Sequence, residues 1–178
     1  RMPIRGRVFL AASLDGFIAR TDGDISWLHE GLDGSEDHGF DALMNGVDGL
    51  LIGRNTYEVV RTFEPWPYAK PVVVLSRTLP AGVGHREDVR IWNVEPQEAL
   101  QRLEAEGWSA AYLDGGKLVQ SCLRAGLVHE LTITRIPHLL GSGIPLFADL
   151  PHELRLSHER TQSWPSGLVQ SRYRVVDD

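Results

Sequence analysis

Cysteine occurs once in the 178 residues, at Cys122, so no disulfide can close within the chain. No apolar run approaches the ~20 residues that a membrane-spanning helix needs. The opening Arg1-Met2-Pro3-Ile4-Arg5-Gly6-Arg7 is followed by too short an apolar stretch for a secretory signal. Net positive charge is also lacking: 18 Lys and Arg face 24 Asp and Glu, and both signs are mixed along the chain. A nucleic-acid partner would call for a clustered basic face. The seven histidines are scattered, and His129-Glu130 and His152-Glu153 lack the second histidine of a zinc helix. No metal site is therefore expected. There is no G-x-G-x-x-G, phosphate-binding Walker loop, G-x-S-x-G elbow or H-E-x-x-H. These absences leave a small-molecule ligand, no nucleic acid, no membrane and a cytoplasmic location as the expectations.

What is present is an ordinary globular composition, with 42% apolar and 24% charged residues. A chain of this size buries roughly 70% of its unfolded surface, so folding requires neither disulfide nor metal. One domain over residues 1–178 is expected. Val8–Ala12 reads as a buried strand, with Asp15-Gly16 as a turn and residues 18–35 as a long mobile loop. A short helix is expected over Glu36–Asn45, with Phe40, Leu43 and Met44 on one face. Further strands are expected at Val47–Ile52, Pro71–Leu75, Val89–Val94, Ala110–Leu113 and Val128–Ile136. Helices follow Gly53, Glu95 and Gly116. The second opens with proline at its first position and buries Ala99, Leu100 and Leu103. The third turns Leu118, Val119, Cys122 and Leu123 inward, where Cys122 is a small core residue rather than a nucleophile. Two late segments near 153–162 and 167–176 read as an antiparallel hairpin across Trp164-Pro165-Ser166-Gly167. Alternating strands and helices predict a three-layer α/β/α fold. Its central sheet is mostly parallel, and the hairpin is added at one edge.

In such sheets ligands bind outside the carboxyl ends of the strands. Three strand ends carry suitable signals: Gly53-Arg54-Asn55-Thr56, Ser76-Arg77 and Asp114-Gly115-Gly116-Lys117. Glycine admits a ligand close to the backbone, and a helix start offers free N–H groups with a partial positive charge. Two such starts suit the two ends of a pyrophosphate, with Arg54, Arg77 and Lys117 adding charge. Each feature alone is ordinary turn or surface chemistry. Their joint occurrence at three strand ends is what points to a dinucleotide.

Ala12-Ser13-Leu14-Asp15-Gly16-Phe17-Ile18-Ala19, Leu51-Ile52-Gly53-Arg54-Asn55-Thr56-Tyr57-Glu58, Val74-Leu75-Ser76-Arg77 and Leu113-Asp114-Gly115-Gly116 occur in that order. They resemble the signature segments of the dihydrofolate reductase-like superfamily. Gly126-Leu127-Val128-His129-Glu130-Leu131 and Leu139-Leu140-Gly141-Ser142-Gly143-Ile144-Pro145-Leu146-Phe147 resemble the reductase domain of riboflavin biosynthesis more than dihydrofolate reductase itself. The resemblance spans about Val8 to Phe147. It implies NADPH extended along the carboxyl edge of the sheet, with Ala12 and Ile18 flanking the nicotinamide. Gly53, Arg54, Asn55 and Thr56 would hold one side of the pyrophosphate, and Gly115, Gly116, Lys117 and Leu118 the other. Ser76 and Arg77 would take the 2′-phosphate. Counting back from Gly53, the acid of dihydrofolate reductase falls on Asp37, with Glu36 and Asp41 as alternatives.

The implied function is an NADPH-dependent reductase passing a hydride to a pteridine- or pyrimidine-like compound, or to a small carbonyl or imine. The competing reading is a protein that kept the dinucleotide site and lost catalysis. A homodimer is expected by resemblance alone, with Trp164, Pro165 and Leu168 available as apolar contacts.

Overall fold

The computed structural model of the chain describes residues 3–30, 32 and 34–177. In chain order the elements are β1 (Arg5–Ser13), β2 (Phe17–Ala19), a 3-10 turn at Ser26–His29, α1 (Phe40–Asn45), β3 (Gly49–Gly53) and α2 (Arg54–Val60). There follow β4 (Val72–Leu75), β5 (Gly82–Val83), β6 (Val89–Trp92), α3 (Pro96–Ala105), β7 (Ala110–Asp114) and α4 (Gly116–Arg124). The chain then runs through β8 (Val128–Ile136), β9 (Ile144–Pro145), β10 (Leu156–Ser163) and β11 (Val169–Val175). It gathers into two compact units. One combines the residues up to Arg7 with Asp41–Val128, and the other combines Val8–Phe40 with the residues from His129 onward.

In the first unit the strand order is β7-β3-β4-β6-β5. The first four strands are parallel and β5 pairs antiparallel at the edge. Leu50, Leu51, Ile52, Val72, Val73, Val74, Ala111 and Leu113 are all fully buried. Such continuous apolar runs belong to strands covered on both faces, so these sequences could not alternate in and out as an exposed sheet does. Helix α3 starts at Pro96, which fixes a helical φ where an N–H would have no partner. It buries Ala99, Leu100 and Leu103, and α4 buries Leu118, Val119, Cys122 and Leu123, as their spacing predicts. Burial pushes the Cys122 thiol up to about 12, which keeps it protonated in the core.

In the second unit β10, β11 and β8 pair antiparallel, with β1 next to β8. The hairpin turn falls where the sequence places it. Gly167 at φ +93 donates its N–H to the Trp164 carbonyl, and the Trp164 N–H bonds to the Leu168 carbonyl. Leu168 is buried with Trp27 and Ile136, and Trp164 packs against them. Leu168 is part of this core. The mostly parallel sheet, its antiparallel additions and its flanking helices are those of the α/β class expected.

Several boundaries differ. The helix expected over Glu36–Asn45 begins only at Phe40. Gly39 adopts φ +92, its N–H bonds to the Asp37 carboxylate, and the Glu36 carboxylate is drawn to Ser166. Residues 18–35 were expected as a mobile loop, yet β2 extends through Ala19 and the 3-10 turn buries Trp27 to 1% exposure. Trp27 stacks on His138, so an aromatic anchor offsets the entropy of ordering this segment. Gly31 and Asp33 of that stretch lie outside the described residues. Strands β2, β5 and β9 are two or three residues long, too short to carry a period.

Gly49 opens β3 with no room for a side chain. A Cβ there would lie 2.5 Å from the Pro71 carbonyl oxygen and would overlap the Cη2–Cζ2 edge of the Trp108 ring. Neither neighbour can swing away, because one is backbone and the other a half-buried aromatic. Gly49→Ala is expected to lower unfolding free energy by ~1–3 kcal/mol, the usual cost of overpacking. Urea denaturation followed by tryptophan fluorescence measures it.

Candidate functional site

The parallel register brings three loops to one level. Gly53 pairs with Leu75 across β3 and β4, and Ile52 pairs with Asp114 across β3 and β7. The segments Gly53–Thr56, Ser76–Thr78 and Gly115–Leu118 therefore leave the same carboxyl edge side by side. They line a cavity of about 430 Å³. All ten residues expected to hold pyrophosphate and 2′-phosphate are in its wall: Gly53, Arg54, Asn55, Thr56, Ser76, Arg77, Gly115, Gly116, Lys117 and Leu118.

Two of the loops touch through glycine. Gly115 precedes α4 at φ +115, a conformation that L side chains rarely adopt. A Cβ on it would stand 3.0 Å from the Thr56 hydroxyl and 3.4 Å from the Gly53 nitrogen. Bare backbone is the only fit here. The start of α4 then presents its first N–H groups and the positive end of its dipole to the cavity. Arg54 donates from Nη1 to the Thr78 hydroxyl at 2.9 Å, which holds the guanidinium over the neighbouring loop. The buried Ser76 hydroxyl accepts the N–H groups of Thr78 (3.2 Å) and Leu79 (3.0 Å). Its first task is thus to shape the turn. Asn93 Nδ2 donates to the carbonyls of Ser76 at 2.6 Å and Leu79 at 2.9 Å, fixing that turn to the end of β6. Arg77 is exposed and pairs with Glu95.

The remaining expected residues lie in other surroundings. Ala12 is fully buried in β1 and Ile18 half-buried in β2, both in the second unit. Asp37 is exposed in the same unit, where its carboxylate accepts the Gly39 N–H at 2.8 Å. Glu36 is held below the usual carboxylate range, first by the Ser166 hydroxyl and then by His38, so it stays ionised. Asp41 is exposed in the first turn of α1.

Sequence reasoning missed Thr78, Glu95 and Ser121, which also line the cavity, and gave Asp114, named there only as part of a strand-end motif, no role of its own. Asp114 ends β7, one residue before the glycine turn. Burial pushes its carboxyl up to about 6, partly offset by hydrogen bonds from the Gly115 N–H and the Tyr112 hydroxyl. Tyr68 and Tyr112 are buried, and both phenols are raised by burial and by the Asp114 charge. Among the described residues, Asp114 is the carboxyl whose pKa moves up. An aspartate at the end of a buried strand was the available signal. Its environment was not, because Tyr68 comes from a distant loop.

Comparison with known proteins agrees with this geometry. The sequence profile of the RibD C-terminal domain matches residues 6–170. The uncharacterized protein YwjB of Bacillus subtilis (strain 168) is 35% identical over 93% of this chain and 95% of its own. A crystal structure from Shewanella sp. PV-4, of a protein provisionally assigned to riboflavin biosynthesis, is similar with a TM-score of 0.90 and 39% identity. It covers 98% of this chain and 100% of that one. Dihydrofolate reductase from Enterococcus faecalis, complexed with NADP(H) and RAB-propyl, shares the fold at a TM-score of 0.67 and 16% identity over 97% of both chains.

The Asp114 environment makes a pH prediction. Its carboxyl is near 3.8 when free and about 6 in the fold, so the folded state binds the proton more tightly. The stabilisation this gives is complete below pH 3.8 and is lost as pH rises through 6. Asp114→Asn should remove that loss. Its stability relative to wild type is expected to rise by up to ~3 kcal/mol between pH 4 and pH 7. Denaturant melts across that window test this, and a flat difference would refute the buried-carboxyl account.

Proposed function

From the premise that the chain belongs to the RibD C-terminal domain family, we propose that it is an NADPH-dependent reductase of a small pyrimidine- or pteridine-like substrate. The cavity at the carboxyl edge of β3, β4 and β7 carries this reading. Its chemistry fits a dinucleotide. Bare glycine backbone at Gly53 and Gly115–Gly116 lets a pyrophosphate approach the N–H groups at the start of α4. Lys117 and Arg54 supply charge beside it, and Ser76 with Arg77 supplies donors for a 2′-phosphate. In the Enterococcus enzyme the same fold carries NADP(H).

When bound, the reduced nicotinamide supplies the hydride. Ala12 and Ile18 are the residues proposed to flank it through backbone groups and apolar contact. The substrate atom next to the reduced carbon needs a proton. A carboxyl group with a pKa near the working pH is suited to give one, because it is both present as the acid and able to let go. Asp114 has that property at the end of β7, one residue before the cavity wall resumes at Gly115, and the Tyr112 hydroxyl bonds to it. Asp37 is the second candidate, by its position in the resemblance.

NADPH titration by fluorescence is expected to show saturable binding, and its absence would end the proposal. Arg77→Ala should weaken NADPH about tenfold and leave NADH little changed, since one charge-assisted bond of ~1.5 kcal/mol or more is lost. With a pyrimidine or pteridine substrate, Asp114→Asn should cut turnover at least ~100-fold while NADPH affinity is kept. Full turnover in Asp114→Asn together with loss in Asp37→Asn would move the proton to Asp37.

A further inference from the structure

Glu95 occupies an unusual place for a helix-capping residue. It precedes Pro96 at the start of α3 with extended backbone (φ −72, ψ 156), yet its side chain makes no capping bond. Its carboxylate turns instead to the Arg77 guanidinium, and both residues line the same cavity. Backbone geometry sets this pair. Leu75 and Trp92 are register partners across β4 and β6, so the segments after them leave the edge together. Asn93 then locks them by its two bonds to the Ser76 and Leu79 carbonyls.

We propose that Glu95 sets the choice between the two nicotinamide dinucleotides, a step that rests on the dinucleotide reading of the cavity. The Glu95 carboxylate is the resident counter-ion of Arg77. A ribose 2′-phosphate must displace it and then bear its repulsion. A ribose 2′-hydroxyl instead donates to it, as acidic residues do in sites selective for the dinucleotide without the extra phosphate. One ion pair thus holds both recognition elements: the arginine for the phosphate and the carboxylate for the hydroxyl. The side chains of Arg77 and Glu95 are 82% and 66% exposed. Pairs so solvated are weak, so exchange costs little and the carboxylate tunes the preference without blocking either ligand. Arg54 and Lys117 keep the rest of the wall positive. The site therefore accepts both dinucleotides, with a narrower preference for the phosphorylated one than its arginines alone would give.

The test is calorimetric titration of the full chain with NADPH, NADH, 2′,5′-ADP and 5′-AMP, for wild type, Glu95→Gln and Glu95→Ala. Both substitutions should tighten NADPH and 2′,5′-ADP about tenfold at low salt and loosen NADH several-fold, with the gap shrinking as salt is added. In an Arg77→Ala background the gain for 2′,5′-ADP should fall to about twofold or less, because no guanidinium is left to release. An NADPH-to-NADH affinity ratio unchanged in both Glu95 variants would overturn the role of Glu95 and leave the dinucleotide reading standing. Failure of every protein to bind either dinucleotide would overturn both.

Discussion

Parallel pairing of β3 with β4 and β7 is the constraint on which the site depends. Each of these strands is buried on both faces, so a slip of one residue would carry Leu51, Val73 or Leu113 out of its packing environment. The register is therefore held by the core, and the core in turn decides that Gly53, Leu75 and Asp114 end at one level. The loops have no freedom to do otherwise. A polar cavity is positioned by apolar packing several residues away from it.

At that edge, different residue types solve different problems. Gly115 is required by a positive φ and by the Thr56 hydroxyl against which any side chain would press. Ser76 and Asn93 have no charge to offer, but they tie the ends of β4 and β6 into a fixed turn. Arg54, Arg77 and Lys117 provide the positive potential that an acidic protein lacks overall. The net charge of −6 thus says little about an anion site, since a local field depends on which few charges share a wall.

Asp114 and Glu95 show two fates of a carboxylate near the same cavity. Asp114 ends a buried strand beside Tyr112, and its ionisation is resisted. Glu95 stands in solvent, paired with an arginine, and remains available for exchange. One is suited to holding a proton near neutrality, the other to competing with a ligand phosphate. Their chemistry follows from solvation rather than residue type.

The sequence by itself determined the order of the longer strands and of the helices, the core faces of α3 and α4, the hairpin turn at Trp164–Gly167 and ten of the residues in the cavity wall. These are local matters, written in periodicity and in glycine and proline placement, and a parallel sheet converts strand ends into a common edge. It could not determine that Asp37 and Glu36 would be drawn into a turn and a Ser166 contact, which delays α1 to Phe40. Nor could it show that Trp27 would anchor the 18–35 segment, that Tyr68 and Tyr112 would surround Asp114, or that Glu95 would reach Arg77. Apart from the local Gly39 turn at Asp37 and the nearby Tyr112, these outcomes depend on partners distant in sequence: Ser166 for Glu36, His138 for Trp27, Tyr68 for Asp114 and Arg77 for Glu95. Burial and electrostatic surroundings are properties of the folded neighbourhood, and only the tertiary structure supplies them.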